Sequence, residues 1–139
     1  MKHSPTVSIV LPVYNEKESL LCLYEKIRES CNQLGRPFEI VFVDDGSSDK
    51  TFEILEGIHG RDCRVKVIRF GKNFGQTAAM TAGFEFANGE IIVSVDGYLQ
   101  NDPADIPALL AKREEGYALV RGWRKDRRRV TSRLWHLAQ

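Results

Sequence analysis

The sequence alternates short continuous runs of apolar residues with longer segments in which apolar residues recur at every third or fourth position. Short continuous runs rich in β-branched residues are typical of strands buried on both faces of a sheet. They predict five β-strands, at 7–11, 38–43, 65–70, 91–95 and 117–120. We expect the first strand to stop at Pro12.

The segments between these runs have the periodicity of amphipathic helices. The first carries apolar residues on one face and closes at Gly35 in the C′ position. The second begins at a cap, Ser48 or Asp49. The third, at 74–87, is rich in alanine, which allows close approach to a sheet. A fourth follows Asp102, a cap residue with Pro103 behind it.

Alternating strands and helices predict an α/β fold with three layers, a mostly parallel sheet covered by helices on both faces. A chain of 139 residues forms about one domain. Its 42% hydrophobic and 28% charged residues are typical of a globular protein rather than a disordered one.

Cysteine usage and hydropathy favour a cytoplasmic protein. Cys22, Cys31 and Cys63 have no CxxC spacing, and we expect all three to be reduced packing residues. No apolar run approaches the roughly 18 residues of a membrane span. The polar start of the chain predicts no signal peptide.

Positive charge is concentrated near the end of the sequence. Residues 121–133 hold seven of the 20 Lys and Arg residues and one of the 19 acids, so the remainder is acidic. A basic segment on an acidic body favours an anionic partner such as phosphate, nucleic acid or a membrane surface. A solvated helix start is the alternative. Because no aromatic residues interleave the basic residues from Arg124 to Arg133, and the acidic body would repel a duplex, we predict no nucleic-acid partner.

Three predicted strands end in polar residues that should meet at one end of the sheet. Tyr14 and Glu16 follow the first strand, residues 44–49 follow the second, and Asp96 and Gly97 follow the fourth. Ligands of parallel sheets bind beyond the carboxyl ends of the strands. One such turn is unremarkable, but three at the same end predict a binding site.

These residue types suit a nucleotide. A carboxylate can accept from a nucleobase or ribose, or ligate a hard cation. Gly97 lets a ligand approach the backbone, and Tyr14 can stack on a base. Arg121 and Arg124 can neutralise a diphosphate. Residues 71–75 match neither the P-loop nor the dinucleotide fingerprint, which argues against an ATPase or a dinucleotide dehydrogenase.

Four segments together resemble the family 2 glycosyltransferases of GT-A fold: VSIVLPVYNE, EIVFVDDGSSDKT, RFGKNFGQTAAMTAGFEFANGEIIVSVDGYLQNDP and GWRKDRRR. The resemblance is greatest to the branch that moves a sugar from a nucleotide sugar to a polyprenyl phosphate, the dolichyl-phosphate mannose synthase and undecaprenyl-phosphate glycosyltransferase group. It implies a Rossmann-like nucleotide-sugar-binding domain at 1–120. It also implies a basic segment at 121–139 that begins the acceptor-binding part of a longer chain.

The resemblance further implies a set of nucleotide-sugar-binding residues: Pro12, Tyr14, Glu16, Val43, Asp45, Asp96, Gly97 and Arg124. The first three would line the nucleotide pocket, and Val43 and Asp45 would hold base and ribose. Asp96 and Gly97 would lie beside the diphosphate, with Arg124 neutralising it. Gln100 and Asp102 would shape the donor loop, although a helix cap is the alternative for Asp102. No catalytic base is identified.

The sequence departs from the family at Tyr98. The family pattern is Asp-x-Asp, and its second Asp is usually the main ligand of Mg²⁺ or Mn²⁺. Here Asp96 is the metal ligand that remains, and a neutral phenol with a reference pKa near 10 is a poor substitute. We therefore expect a weakened metal site.

The resemblance implies inverting transfer from a UDP- or GDP-sugar to a polyprenyl phosphate or another glycosyl acceptor. Arg127, Arg128 and Arg129 would then contact the lipid phosphate or an anionic membrane surface, at the cytoplasmic face of a membrane. The alternative is a non-catalytic nucleotide-binding or membrane-docking domain whose metal site has degenerated at Tyr98.

Overall fold

The computed structural model describes residues 5–95, 102–121 and 136–138. Strands and helices alternate through these residues as the apolar pattern predicts. The elements in chain order are β1 (Val7–Val13), α1 (Leu20–Asn32), β2 (Phe38–Asp44), α2 (Thr51–Arg61), β3 (Val65–Arg69), α3 (Gln76–Phe86), β4 (Ile91–Ser94), a 3₁₀ turn (Pro103–Asp105), α4 (Ile106–Glu114), β5 (Val120–Arg121) and β6 (His136–Ala138).

The strands form one sheet in the order β3-β2-β1-β4-β6-β5. β1 pairs in parallel with β2 and β4, and β2 pairs in parallel with β3. β6 is antiparallel to both β4 and β5. The prediction of a mostly parallel sheet is therefore confirmed. Because β6 belongs to this sheet, part of the 121–139 segment extends the same layer.

Helices cover both faces of the sheet, as predicted. Alternate strand residues pack with α1, α2 and α4 in the larger apolar core, which includes Ile9, Phe42 and Leu55. The intervening residues face α3 in a smaller core made of Val10, Val41, Val43 and Ala79. β1, β2 and β4 are thus buried between two helical layers, which explains their continuous apolar sequences, whereas the edge strand β3 is only partly buried.

The small residues of α3 allow the predicted close approach to the sheet. Ala79 and Gly83 are buried on the face that meets β1 and β2. A Cβ placed on Gly83 would lie 2.2 Å from Cγ1 of Val10 and 3.3 Å from Cγ2 of Val43. Glycine at this position lets α3 lie directly on the sheet, with its first turn beside the ends of β1 and β2.

Pro12 does not end the first strand, contrary to the prediction. β1 continues to Val13, and Pro12 pairs in register with Val43. The carbonyl of Val13 accepts from Asp45, so Pro12 faces the opposite neighbour, β4. Pairing with β4 stops at Val10 and Ser94, and a missing N–H at Pro12 therefore costs no ladder hydrogen bond.

Three further expectations need correction. β5 begins at Val120, and Tyr117 is exposed rather than part of a strand. Helix α1 ends two residues earlier than its apolar pattern, although Gly35 has the expected left-handed backbone, with φ +66°. Cys31 is buried, but Cys22 and Cys63 are exposed and do not pack in the core; all three are free thiols.

Candidate functional site

A cavity of about 240 Å³ lies at the carboxyl end of the sheet. The end of β1, the turn after β2 and the start of α3 form its walls. The lining residues are Pro12, Val13, Tyr14, Glu16, Asp45, Asn73, Gly75 and Gln76. β1, β2 and β3 finish level with one another at Val13, Asp44 and Arg69, and this level finish brings the three following loops together.

Asp45 connects the end of β2 to the start of α3. Its Oδ1 accepts from the backbone N–H of Phe74 at 2.8 Å, and its Oδ2 accepts from that of Gly75 at 3.1 Å. Its own N–H donates to the carbonyl of Val13 at 2.9 Å. The carboxylate is 5% exposed and therefore holds three loops in place from within the wall of the cavity.

Gly46 allows the loop before α3 to lie directly against the turn after β2. It has a left-handed backbone, with φ +74°. A Cβ there would lie 2.2 Å from the carbonyl carbon of Lys72 and 2.4 Å from the nitrogen of Asn73. These are backbone atoms, so no side-chain rotation could relieve the contact. Any other residue at position 46 would displace the loop that carries Asn73 into the cavity wall.

Tyr14 and Glu16 reach the cavity from the loop after β1. Tyr14 is 38% exposed, so part of its side chain is accessible to a ligand, whereas Glu16 is 7% exposed. The backbone N–H of Glu16 donates to Oγ1 of Thr51 at 2.9 Å, which ties this loop to the start of α2. This bond therefore fixes the backbone that carries Tyr14 and Glu16 on one side of the cavity.

Asp49 strengthens the same connection. Its Oδ1 accepts from the backbone N–H of Thr51 at 2.9 Å, and its Oδ2 accepts from that of Lys17 at 3.4 Å. Desolvation raises the pKa of Asp49, but the hydrogen bonds from Thr51 and Lys17 outweigh it and hold that pKa below its ordinary value. Asp49 thus bonds both the first residue of α2 and the loop after β1, but the N-cap position of α2 is Lys50 rather than Ser48 or Asp49 as predicted.

The structure brings together four of the residues predicted to bind the donor: Pro12, Tyr14, Glu16 and Asp45. It does not bring Val43 to the cavity, because that side chain is fully buried against α3. Asp96, Gly97, Gln100 and Arg124 lie outside the described residues. Asp102 is a helix cap, with its Oδ1 accepting from the N–H of Ala104 at 3.0 Å.

Sequence reasoning missed the third wall of the cavity. Asn73 and Gly75 lie in the loop between β3 and α3 and Gln76 begins α3, in a segment whose sequence matches no phosphate-binding motif. The available signal was the strand order: β3 also ends at the carboxyl end of the sheet, so its loop should have counted with the others.

The described residues do not provide a metal centre. They contain no group of three His, Cys, Asp or Glu side chains placed to hold an ion, and both oxygens of Asp45 already accept from backbone N–H groups. Asp96 and Tyr98 lie outside the described residues. Metal binding at Asp96 therefore stays a prediction.

Across the described ranges, no helix has both the length and the apolar character needed to cross a bilayer.

Comparison with known proteins identifies the family to which this chain is related. The family model "Glycosyl transferase family 2" matches residues 8–139. An undecaprenyl-phosphate 4-deoxy-4-formamido-L-arabinose transferase of Pseudomonas paraeruginosa is 44% identical over 130 residues, which cover 93% of this chain and 38% of the relative. The transferase of the same name from Proteus mirabilis is 45% identical over 122 residues, covering 87% of this chain and 37% of the relative. The chain thus spans less than half the length of these relatives.

Solved structures share the fold. S. aureus TarS 1-349 superposes with a TM-score of 0.61 at 25% identity, covering 82% of this chain and 34% of that one. Mannosyltransferase PcManGT from Pyrobaculum calidifontis, solved in complex with GDP-Man and Mn²⁺, gives a TM-score of 0.66 at 21% identity, covering 93% and 38%. The second likeness concerns the fold alone. With a family model that spans nearly all of its residues and a cavity at the carboxyl end of its sheet, this chain belongs to glycosyl transferase family 2.

Proposed function

We propose that this chain is the donor-binding part of an inverting glycosyltransferase that moves a sugar from a UDP- or GDP-sugar to a polyprenyl phosphate. One observation carries the proposal: Pro12, Tyr14, Glu16 and Asp45 line a single cavity at the carboxyl end of the sheet. An aromatic face beside buried carboxylates suits a nucleoside, whose base stacks and whose N–H and hydroxyl groups donate.

The names of the relatives support the acceptor and the solved structures support the donor. The relatives are transferases named for undecaprenyl phosphate. TarS has been solved in complex with UDP, at 25% identity and a TM-score of 0.59. Since the chain covers only 38% of the first relative, we assign it donor binding at 1–120 and only the start of acceptor binding at 121–139.

The proposed reaction is a displacement at the anomeric carbon. An oxygen of the acceptor phosphate forms the new bond to that carbon, and the nucleoside diphosphate leaves with the electron pair of the old one. A phosphate monoester is largely ionised at pH 7, so it depends less on a general base than a hydroxyl would. Tyr14, Glu16 and Asp45 would bind and orient the nucleoside, while Arg124 would neutralise the leaving diphosphate.

In this proposal, Asp96 is the residue that would bind a divalent cation. Mg²⁺ or Mn²⁺ would add electrostatic stabilisation of the leaving diphosphate when bound. Tyr98 in place of a second carboxylate favours the other candidate function, a non-catalytic domain that binds nucleotide without metal-dependent turnover. The two candidates differ in whether the metal strengthens nucleotide binding.

Titration calorimetry with UDP and with GDP, in the presence and absence of Mn²⁺, tests the proposal. We expect one of the two nucleotides to bind the wild-type chain and Asp45→Asn to weaken that binding about tenfold. Glu56→Gln, an exposed change on α2, is the matched control and should bind like the wild type. Absence of binding to both nucleotides would refute the proposal. Tyr98→Asp should strengthen nucleotide binding only when Mn²⁺ is present. An unchanged affinity would show that the metal has no part in the proposed function.

The proposed membrane contact has a separate test. Arg127, Arg128 and Arg129 should bring the chain to an anionic bilayer, where each basic residue is worth roughly 1 kcal/mol. We expect co-sedimentation with vesicles containing phosphatidylglycerol but not with pure phosphatidylcholine vesicles. Replacing the three arginines by alanine should abolish it; equal sedimentation of the variant would exclude this contact.

A further inference from the structure

We propose that Asn15 is a positioning residue of the donor cavity, which locks the loop carrying Tyr14 and Glu16 to the loop that follows Asp45. The family resemblance in the segment VSIVLPVYNE assigns roles to Pro12, Tyr14 and Glu16 but none to Asn15. The proposal rests on the proposed function, because the cavity it serves is the one assigned to the nucleotide.

Asn15 lies between two cavity residues without lining the cavity itself. Tyr14 and Glu16 on either side belong to the wall, whereas the side chain of Asn15 bonds the loop after β2. Its backbone is left-handed, with φ +49°, and it is the only non-glycine residue with positive φ among those the structure describes. Asparagine tolerates this conformation better than most residues.

The hydrogen bonds of Asn15 all cross from one loop to the other. Its Oδ1 accepts from the backbone N–H of Ser48 at 2.8 Å, from the Ser48 hydroxyl at 3.3 Å and from the N–H of Asp49 at 3.3 Å. Its own N–H donates to Oγ of Ser47 at 2.9 Å. One side chain therefore satisfies two backbone donors of a turn that begins directly after Asp45 and Gly46.

The neighbouring hydrogen bonds show which contacts between the two loops depend on Asn15. Beyond Asn15, the two loops meet through the Glu16 N–H, which donates to Thr51, and the Lys17 N–H, which donates to Asp49. These two bonds can form only at the distance between the loops that the hydrogen bonds of the Asn15 side chain maintain. Losing the amide should let Tyr14 and Glu16 shift relative to Asp45, so that a nucleoside could no longer contact all three at once.

The test compares three variants by calorimetry with UDP and GDP. Asn15→Gly keeps the left-handed backbone and removes only the side chain, and we expect it to weaken nucleotide binding about tenfold. Asn15→Asp keeps an oxygen acceptor for the Ser48 and Asp49 N–H groups and should retain most of the affinity. Asn32→Ala is the matched control, because it removes an amide oxygen that accepts from Arg64 at 3.1 Å at the far end of the sheet. It should bind like the wild type.

Amide hydrogen exchange separates positioning from a general effect on stability. The N–H of Glu16 bonds to Thr51 and not to Asn15, so it should exchange faster in Asn15→Gly only if Asn15 holds the loops together. A lower melting temperature with unchanged affinity and unchanged exchange at Glu16 would overturn the proposal. If the wild-type chain binds neither nucleotide, the proposed function fails, and the exchange rate at Glu16 then decides the role of Asn15 alone.

Discussion

Buried carboxylates occur at both ends of the sheet, but they are balanced differently. At the amino end, Glu39 pairs with Lys66 at 2.6 Å and Asp62 pairs with Arg64 at 2.9 Å. At the carboxyl end, Asp44 and Asp45 take part in none of the ion pairs found among the described residues, and Asp45 accepts from neutral backbone N–H groups. Glu39 and Asp62 are thus neutralised within the protein, whereas Asp45 lines the cavity without a cationic partner among the described residues.

The paired carboxylates of the amino end serve the fold. Oε1 of Glu39 accepts from the Ser8 hydroxyl and from the N–H of Asn88, both at 2.6 Å, and thereby joins β1, β2 and the turn before β4. Desolvation raises the pKa of Glu39, but these bonds and that from Lys66 lower it overall. Oxygen atoms that are this well satisfied have little capacity left for a ligand.

This difference teaches how to separate structural from functional acids in a sheet of this kind. A buried carboxylate with its own cation stabilises the native state, and removing it costs stability without changing binding. A buried carboxylate without a cation keeps negative charge for the N–H donors or cations of a ligand, at some cost to stability. The predictions below test that distinction.

The largest effect should follow from Asp62→Ala. Asp62 is buried and accepts three bonds from Arg64, through Nε, Nη2 and the backbone N–H, and one at 2.7 Å from the Tyr24 hydroxyl. Removing a buried ion-pair partner leaves these donors unsatisfied, so the free energy of unfolding should fall by about 3 kcal/mol. Urea titration measures this loss, and nucleotide affinity below the unfolding transition should stay unchanged.

Glu25→Ala is the control for Asp62→Ala. It removes the exposed partner of Arg28 and should cost about 0.5 kcal/mol or less. If Asp62→Ala weakened nucleotide binding as well as the fold, the two ends of the sheet would not be separable.

Acid should reveal the Asp62 contribution as a pH dependence. Desolvation raises the pKa of Asp62, but hydrogen bonds from Arg64 and Tyr24 outweigh it and lower that pKa from 3.8 to about 2. A depressed folded-state pKa stabilises the protein above the unfolded value. This stabilisation, about 2 kcal/mol, should therefore disappear as pH falls from about 4 to about 2.

Urea titrations of the wild type and Asp62→Asn between pH 5 and pH 2.5 isolate this pH effect. The two stability curves should converge as the pH falls, because protonation removes in the wild type what the substitution has already removed. Parallel curves would mean that Asp62 does not carry the predicted shift.

The substitutions Gly46→Ala and Gly35→Ala make the same chemical change at the carboxyl end and at the amino end of the sheet, respectively. Both glycines have positive φ, so alanine should cost each about 1–2 kcal/mol of backbone strain. Only at Gly46 would the Cβ meet the backbone of Lys72 and Asn73, whereas the space around Gly35 is open within 4 Å. Calorimetry should therefore show about a tenfold loss of nucleotide affinity for Gly46→Ala and none for Gly35→Ala; equal losses would refute the steric account of the loop.

The locations of the parallel strands and the residue types that follow them were predictable from the sequence, because both are local properties. Apolar runs located the four parallel strands, and the polar residues after β1 and β2 pointed to Tyr14, Glu16 and Asp45 before any geometry was available. The carboxyl ends of parallel strands must lie together, so the common cavity followed from topology alone.

The contacts between loops were not predictable, because they depend on register. The role of Gly46 requires knowing that residue 72 lies 2.2 Å from its missing Cβ, and continuation of β1 through Pro12 requires knowing where pairing with β4 stops. No role was predicted for Asn15, because its three acceptor bonds join residues more than 30 positions apart in the chain. Local patterns contain no information on such distances.

The smallest effect is expected when one buried carboxylate at each end of the sheet is replaced by its amide. Because the same charge is lost at each end, this pair of substitutions is the most direct test of the comparison. Glu39→Gln should lower the free energy of unfolding by about 1 kcal/mol, because an amide nitrogen would replace an oxygen that accepts from Lys66 or from Ser8 and Asn88. Asp44 is fully buried, and while its Oδ1 accepts from the N–H of Ser47, its Oδ2 has no hydrogen-bond partner among the described residues.

Asp44→Asn keeps the acceptor that serves Ser47 and removes an unbalanced buried charge. Its free energy of unfolding should therefore stay within about 0.5 kcal/mol of the wild type or rise above it. Urea titration of Glu39→Gln and Asp44→Asn at pH 7 measures both changes in the free energy of unfolding. Opposite or clearly unequal effects would confirm that the surroundings neutralise Glu39 but not Asp44, since the chemical change is identical and only the surroundings differ. Equal destabilisation would show that Asp44 has a stabilising partner of its own, and the contrast between the two ends would then fail at the residue next to the cavity.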